Sequence, residues 1–234
     1  MNRREILTGT LAAGAMLALP ARALAQSLED RFDRAFKLTL PPELVPPEPA
    51  PPPLPTIAPY DPAYERRVLE LARREVERAG ASVWRKDVVG IADFARPSTL
   101  PRLHFANLES GTVRSFYVAH GRGSDPEHSG FLQSFSNLLG SEATSRGGYL
   151  TCEWYNGKYG TSIRLVGLEQ DNSQALGRAI VIHPAAYAAP SHIAKWGKLG
   201  RSEGCFAMAP EQFNEALWHM SGGRLLFADR ISAT

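Results

Sequence analysis

A proline-rich segment divides this chain into a short amino-terminal part and a longer part that can form a domain. Residues 41–62 hold eleven of the eighteen prolines. Because proline has a fixed φ and no backbone N–H, such a segment cannot form a helix or a central strand and favours an extended polyproline conformation. We interpret it as a spacer or as an arm on the domain surface. The apolar residues spaced through 27–40 predict a short amphipathic helix before it.

The first 25 residues have the pattern of an export signal. Arg3 and Arg4 supply the positive charge, residues 11–19 form a short apolar run, and residues 23–25 (Ala-Leu-Ala) provide a small-x-small cleavage site. The run is shorter than the roughly 20 apolar residues needed to span a bilayer. The paired arginines favour a twin-arginine signal over an ordinary secretion signal. We therefore expect an exported, periplasmic protein with no integral membrane segment after signal cleavage.

Charge and cysteine content argue against a nucleic-acid-binding protein and against a disulfide-rich fold. Cleavage after Ala25 removes three of the 26 basic and one of the 24 acidic residues, so the mature chain is close to neutral. It lacks the basic stripe that nucleic acid binding requires, and nothing indicates its oligomeric state. The two cysteines are too few for a disulfide scaffold. Cys152 is interpreted as a small buried residue, with a disulfide to Cys205 as the alternative.

Beyond the spacer, the hydrophobic pattern predicts one helix followed by a mainly β domain with helices. Residues 61–79 form the helix, with Asp61 as its cap, Pro62 at its first position and Gly80 ending it. A second helix is predicted over 210–220, and a long Gly- and Ser-rich segment over 121–148 is of a length that is usually functional. Strands are predicted at 88–94, 101–108, 113–120, 149–155, 161–168, 179–183 and 224–229.

The predicted organisation therefore has four parts. They are an export signal (1–25), an amphipathic segment with the proline-rich arm (26–60), a helix (61–80) and a mainly β domain (81–234).

A cysteine that follows a glycine is the candidate nucleophile. Cys205 ends the stretch Ser202-Glu203-Gly204-Cys205, and His183 ends a predicted strand 22 positions upstream. A thiol is mostly protonated at neutral pH, and a neighbouring imidazole can take its proton. The amides of Gly204 and Cys205 would then form an oxyanion hole. An inert buried cysteine and a histidine that caps a strand are the alternatives.

No acidic side chain stands near His183 in the sequence. We therefore expect a backbone carbonyl to orient its ring. The other histidines show no metal-ligand spacing, and no cofactor is implied.

These residues and the blocks around them resemble the L,D-transpeptidase family of the YkuD type. The similarity is greater to a divergent branch of murein L,D-transpeptidase catalytic-domain-like sequences, and it extends from about Leu103 to Asp229. The other blocks that match the branch are Val118–Gly123, Phe135–Asn137, Gly148–Thr151, Tyr159–Leu165 and Ala179–His183.

The resemblance implies a YkuD-like mixed β-sandwich and a cysteine transpeptidase acting on diaminopimelate-type peptide stems of peptidoglycan. Cys205 would attack a stem carbonyl, with His183 as the base and the amides of Gly204 and Cys205 as the oxyanion hole. The amine of a neighbouring diaminopimelate would then resolve the thioester. Hydrolysis by water, giving a carboxypeptidase or endopeptidase, is the alternative enzyme. A wall-binding protein that keeps the fold is the non-enzymatic one.

Three positions depart from the common family pattern. Glu203 stands where a histidine is usual, Ala207 where an arginine often follows, and Pro184 where a glycine follows the base. These departures favour 1,3-crosslinks, which join L-Ala to diaminopimelate, over 3,3-crosslinks.

Charged residues near the motif are candidates for holding a zwitterionic stem peptide. The alternative role for these charged residues is surface ion pairing. For His120 the alternative is a structural hydrogen bond, and for Tyr149 it is packing in an aromatic cluster. The candidate substrate-binding residues are Arg201, Ser202, Glu203, Arg164, His120 and Tyr149.

Overall fold

Residues 61–231 are described by the computed structural model. The predicted export signal (1–25), the amphipathic segment and the proline-rich arm (26–60) lie outside the described residues.

Nine strands and three α-helices make up the described part of the chain. The helices are α1 (Pro62–Ala79), α2 (Pro190–Trp196) and α3 (Pro210–Met220). The strands are β1 (Val88–Asp93), β2 (Leu103–Asn107), β3 (Thr112–Phe116), β4 (Val118–Ala119), β5 (Gly147–Gly157), β6 (Gly160–Gly167), β7 (Val181–Pro184), β8 (Phe206–Met208) and β9 (Leu225–Asp229).

All nine strands belong to one mixed sheet with the order β3-β2-β1-β9-β5-β6-β7-β8-β4. The pairs β1–β9 and β7–β8 are parallel, and the other neighbours are antiparallel. Strands β3 and β4 stand at opposite ends of this order, yet only Tyr117 separates them in sequence. The sheet must therefore curl until its two edges approach each other, which makes it barrel-like.

One apolar core fills the inside of the curled sheet. Residues from strands all along the sheet meet there, from Phe105 on β2 to Ile182 on β7 and Met208 on β8. Helix α3 contributes Phe213, Ala216 and Met220 to the same cluster.

Helix α1 covers the sheet from outside. Asp61 accepts hydrogen bonds from the amides of Ala63 and Tyr64, and Gly80 ends the helix with a φ of +56°. Its apolar face packs on the β1–β9 part of the sheet, forming a second core of Val68, Leu71, Ala72 and Val76 with Val89, Ile91, Leu225 and Phe227.

A buried polar chain also fastens α1 to the sheet. The Tyr64 hydroxyl donates to Asp93 Oδ2 over 2.7 Å and lies 2.9 Å from His104 Nε2. Because a hydroxyl has one proton, Nε2 of His104 must be the donor, and Nδ1 then accepts from Ser115 Oγ at 2.8 Å. Burial, with a smaller effect of the Arg96 charge, lowers the pKa of His104 to about 3, so the ring is neutral.

The structure confirms the predicted mainly β fold with helices, including the cap, first residue and end of α1. It divides the predicted strand 113–120 into β3 and β4 at Tyr117. The sequence interpretation missed α2 and β8, because seven and three residues are too few to show a period.

We predict that Tyr64→Phe destabilises the protein by about 1–3 kcal/mol, because a buried carboxylate and imidazole each lose a hydrogen-bond partner. Urea unfolding followed by circular dichroism measures the change. Tyr155→Phe is the control, since its hydroxyl makes no hydrogen bond among residues 61–231. Equal stabilities for the two variants would contradict a fastening role for Tyr64.

Candidate active site

A cavity of about 160 Å³ opens beside the adjacent strands β7 and β8. It contains five of the residues proposed from the sequence and three that were not proposed. The lining residues are Arg122, Tyr159, His183, Tyr187, Arg201, Ser202, Glu203 and Cys205.

The parallel pairing of β7 with β8 brings the two candidate catalytic residues into this cavity. His183 lies on β7 opposite Ala207 of β8, and Cys205 directly precedes β8. Two positions that are far apart along the chain therefore stand on neighbouring strands.

The Cys205 thiol is buried and protonated in this structure. Its Sγ lies 3.6 Å from the carbonyl oxygen of Ala179, to which it donates. Burial, with a smaller effect of the Glu203 carboxylate, raises the pKa of Cys205 to about 11, while a hydrogen bond from the Val181 backbone and the charge of Arg178 act in the opposite direction. A thiol of this pKa is a poor nucleophile until something removes its proton.

His183 has the tautomer that a general base needs. Its Nδ1 lies 3.0 Å from the carbonyl oxygen of Pro184, and a carbonyl only accepts, so Nδ1 carries the proton and Nε2 is left as the acceptor. This confirms the expectation that a backbone carbonyl orients the ring. Burial lowers the pKa of His183, so the ring is neutral at pH 7.

Tyr159, near the turn between β5 and β6, covers the imidazole. The two rings stack with their centroids 4.5 Å apart and their planes 22° from parallel. The same side chain donates from its hydroxyl to Glu203 Oε2 at 3.4 Å. Tyr159 therefore connects the candidate base with the rim of the cavity.

The loop before Cys205 is held by Ser202 and by the shape of Gly204. Ser202 Oγ donates to the carbonyl of Cys205 at 2.7 Å and accepts from the amide of Gly204 at 3.2 Å. Gly204 has a φ of +114°, and an added Cβ would lie 2.9 Å from the carbonyl oxygen of Ala143. Only glycine suits this position. Because the Gly204 amide already donates to Ser202 Oγ, it can contribute to an oxyanion hole only if that hydrogen bond breaks.

Arg178 stands beside this loop and was missed by the sequence interpretation. Its guanidinium donates to the carbonyl oxygens of Ser136 and Ala143 and to Ser145 Oγ. It thereby holds the segment 136–145 against Gly204. No motif pointed to Arg178, because its partners are mostly backbone carbonyls distant in sequence.

The two arginines of the cavity have partners of their own. Arg122 Nε lies 2.6 Å from Glu142 Oε2, and its Nη2 also contacts that carboxylate. Arg201 Nη1 donates to the carbonyl oxygens of Asp125 and Pro126. Both guanidinium groups are thus fixed at the rim.

Three predicted substrate-binding residues lie outside the cavity. Arg164 pairs with Glu153 at 2.6 Å on the exposed part of the β5–β6 hairpin. Tyr149 is fully buried in the core, and its hydroxyl donates to the carbonyl of Ser145.

His120 is the third of these residues, and it lies beneath the Cys205 loop. Its Nδ1 accepts from the buried guanidinium of Arg102 at 2.8 Å, because an arginine can only donate. Nε2 therefore carries the proton and points towards Asp125 Oδ2, 3.5 Å away. The carbonyl of His120 accepts from the Ser202 amide at 2.9 Å. These contacts place the residue where it supports the loop from the interior.

Both cysteines are free thiols, and Cys152 is half-buried rather than buried. Within residues 61–231, no group of three or more His, Cys, Asp or Glu side chains is arranged to hold a metal ion. No helix in this range is both long and apolar enough to cross a membrane.

The family model described as the L,D-transpeptidase catalytic domain matches residues 61–228. The match covers most of the chain, and the chain belongs to this family. It includes α1, which packs on the sheet, so we propose that the predicted helix (61–80) and catalytic domain (81–234) form one unit. A search of curated proteins found no match.

Solved structures similar to the chain include other L,D-transpeptidases. An L,D-transpeptidase from Mycobacterium smegmatis shares 15% identity with a TM-score of 0.38, over 61% of this chain and 58% of that one. An L,D-transpeptidase from Mycobacterium tuberculosis H37Rv shares 16% with a TM-score of 0.34, over 61% and 57%. A mutant of the helical cell shape determining protein Pgp2 from Campylobacter jejuni shares 13% with a TM-score of 0.41, over 71% and 57%. The chain thus spans less than 60% of the length of these structures.

We predict that Cys205 of the free protein reacts slowly with iodoacetamide at neutral pH. Its alkylation rate should rise about tenfold per pH unit towards pH 11, because only the thiolate reacts. The Cys152→Ala variant leaves Cys205 as the one thiol for this measurement by mass spectrometry. A rate that levels off below pH 9 would show that the thiolate is stabilised in the free protein.

We predict that Tyr159→Ala raises the pKa of His183 towards its ordinary value of about 6.5, because removing the stacked ring admits water. Proton NMR titration of the imidazole measures this shift. Tyr155→Ala, on the same hairpin, should leave the titration unchanged. An unchanged pKa of His183 in Tyr159→Ala would mean that other contacts exclude water from the imidazole.

Proposed function

We propose that this protein is a cysteine L,D-transpeptidase that crosslinks diaminopimelate-type peptide stems of peptidoglycan through a thioester on Cys205. One observation carries the proposal: Cys205 and His183 stand on adjacent parallel strands and share one cavity, with Nε2 of His183 free to accept a proton. The chain's membership of the L,D-transpeptidase catalytic domain family supports transpeptidation as the reaction type.

The first half of the reaction acylates the cysteine. The thiol leaves the Ala179 carbonyl and gives its proton to Nε2 of His183, and the resulting thiolate attacks a carbonyl of the donor stem. The bond from that carbonyl to the following nitrogen breaks, and His183 returns the proton to the departing amine. The Cys205 amide, with the Gly204 amide if it leaves Ser202 Oγ, stabilises the oxyanion.

The second half transfers the acyl group to the amine of a neighbouring diaminopimelate. That amine attacks the thioester, the C–S bond breaks, and the thiol is restored. Because the usual histidine and arginine of the family motif are Glu203 and Ala207, we favour the L-Ala carbonyl as the donor position, which gives a 1,3-crosslink. A 3,3-crosslink is the second candidate for the product.

Arg201, Ser202 and Glu203 are proposed to contact the stem peptides, since all three line the cavity, and Arg122 and Tyr159 join them. Arg164, His120 and Tyr149 are not retained in this set, because the structure places their side chains away from the cavity. We further propose that residues 1–25 direct export and that the reaction takes place in the periplasm.

Incubation of the purified protein with defined disaccharide tetrapeptides and pentapeptides, followed by mass spectrometry, tests the proposal. We predict a crosslinked dimer whose formation is lost in Cys205→Ala and falls about 10²–10⁴-fold in His183→Gln. Cys152→Ala is the matched control and should keep full activity. Tandem fragmentation distinguishes the 1,3 from the 3,3 bond. Trimmed monomers alone would indicate a hydrolase, and the absence of any Cys205-dependent product would support a wall-binding protein.

A further inference from the structure

Glu203 is the single carboxylate among the residues that line the described cavity. Its side chain is 54% exposed, next to a deeply buried thiol. Its nearest cationic group is Arg122, whose Nη2 lies 3.7 Å from Glu203 Oε1. Among residues 61–231, its carboxylate accepts one hydrogen bond, from the neutral hydroxyl of Tyr159 at 3.4 Å.

The cationic side chains around Glu203 have their main contacts with other groups. Arg122 binds Glu142 through both Nε and Nη2, so its contact with Glu203 is secondary. The Nη1 of Arg201 donates to two backbone carbonyls. The ammonium of Lys158 lies over the ring of Tyr159, 5.1 Å from its centroid. Within residues 61–231, the Glu203 carboxylate therefore has one cation within 4 Å, at the long distance of 3.7 Å, and its negative charge is only partly neutralised.

This charge opposes the first half of the proposed reaction. The carboxylate raises the pKa of Cys205, and so disfavours the thiolate that attacks the donor. A residue that hinders acylation by its charge is better suited to a later step in which the incoming group is positive.

Tyr159 places Glu203 close to the base. The tyrosine ring stacks on His183, and its hydroxyl donates to the Glu203 carboxylate. Tyr159 thus spans the gap between Glu203 and the His183 imidazole, so a cationic group held by Glu203 lies near the imidazole.

We propose that Glu203 is the binding subsite for the ammonium group of the second substrate, the amine that resolves the acyl-enzyme. This inference rests on the proposed function. The carboxylate holds the group as R–NH₃⁺ by a charge-assisted hydrogen bond beside the thioester, while Tyr159 fixes the carboxylate.

The proton balance of the step is simple. The bound ammonium gives one proton to Nε2 of neutral His183, and the amine attacks the thioester carbonyl. The C–N bond forms, the C–S bond breaks, and the second proton passes from nitrogen to the leaving thiolate. His183 then releases its proton to water, and Glu203 stays ionised throughout.

The test compares two nucleophiles on the same acyl-enzyme of the purified protein. The acyl-enzyme is first formed with a donor tetrapeptide and measured by intact mass. It is then treated with a diaminopimelate-containing tripeptide, which carries an ammonium group, or with hydroxylamine, which is uncharged at pH 7.5. Glu211→Gln, an exposed carboxylate outside the cavity, is the control with the same chemical change.

We expect Glu203→Gln to lower kcat/KM for the tripeptide about tenfold, the effect of losing a partly exposed charged hydrogen bond. The hydroxylamine rate should be unchanged, and alkylation of Cys205 at pH 8 should become faster because the opposing charge is gone. A misfolded or loosened site would instead change both nucleophiles alike.

Three outcomes would overturn the inference. Equal effects on the two nucleophiles would show that Glu203 does not recognise the ammonium. Slower formation of the acyl-enzyme in Glu203→Gln would place the residue in the donor step. If the unsubstituted protein forms no acyl-enzyme on Cys205, the proposed function fails and this inference fails with it.

Discussion

The parallel pairing of β7 with β8 is the constraint on which the rest of the site depends. It is a short pairing, with three residue pairs from Ile182–Phe206 to Pro184–Met208. A parallel pair cannot be joined by a tight turn, so a long connection containing α2 must carry the chain back. That connection ends in the loop 200–205, which delivers Cys205 to the strand beside His183.

The loop itself is built on a second layer of backbone contacts. Gly121 forms a parallel β-bridge with Ser202, in which the Arg122 amide donates to the Ser202 carbonyl and the Ser202 amide donates to the His120 carbonyl. Beneath them lie His120 and the fully buried Arg102. A buried charge is costly unless its hydrogen bonds are satisfied, and Arg102 meets this need through the carbonyls of Val118 and Arg96 as well as His120. We infer that this polar interior keeps the loop 200–205 in one conformation.

The two candidate catalytic side chains in the cavity are uncharged in the absence of substrate. Burial raises the pKa of Cys205 and lowers that of His183, so both groups are neutral in the free protein. Neither charge is stabilised in the free protein, which protects the thiol from adventitious oxidation and alkylation. The rim differs from this neutral interior, because Arg122, Glu142 and Glu203 bring charges to the entrance.

The sequence by itself determined α1, most of the strands, α3, and the choice of Cys205 and His183 as the candidate catalytic residues. These features are local, since a cap, an alternating pattern or a short motif is read within a few residues. Tertiary structure alone decided which side chains share the cavity. Arg122, Tyr159 and Tyr187 line it from three separate connecting segments, whereas Arg164 on β6 and Tyr149 on β5 do not. Which segments meet at the cavity depends on strand pairings between residues distant in sequence, and no local pattern reports these.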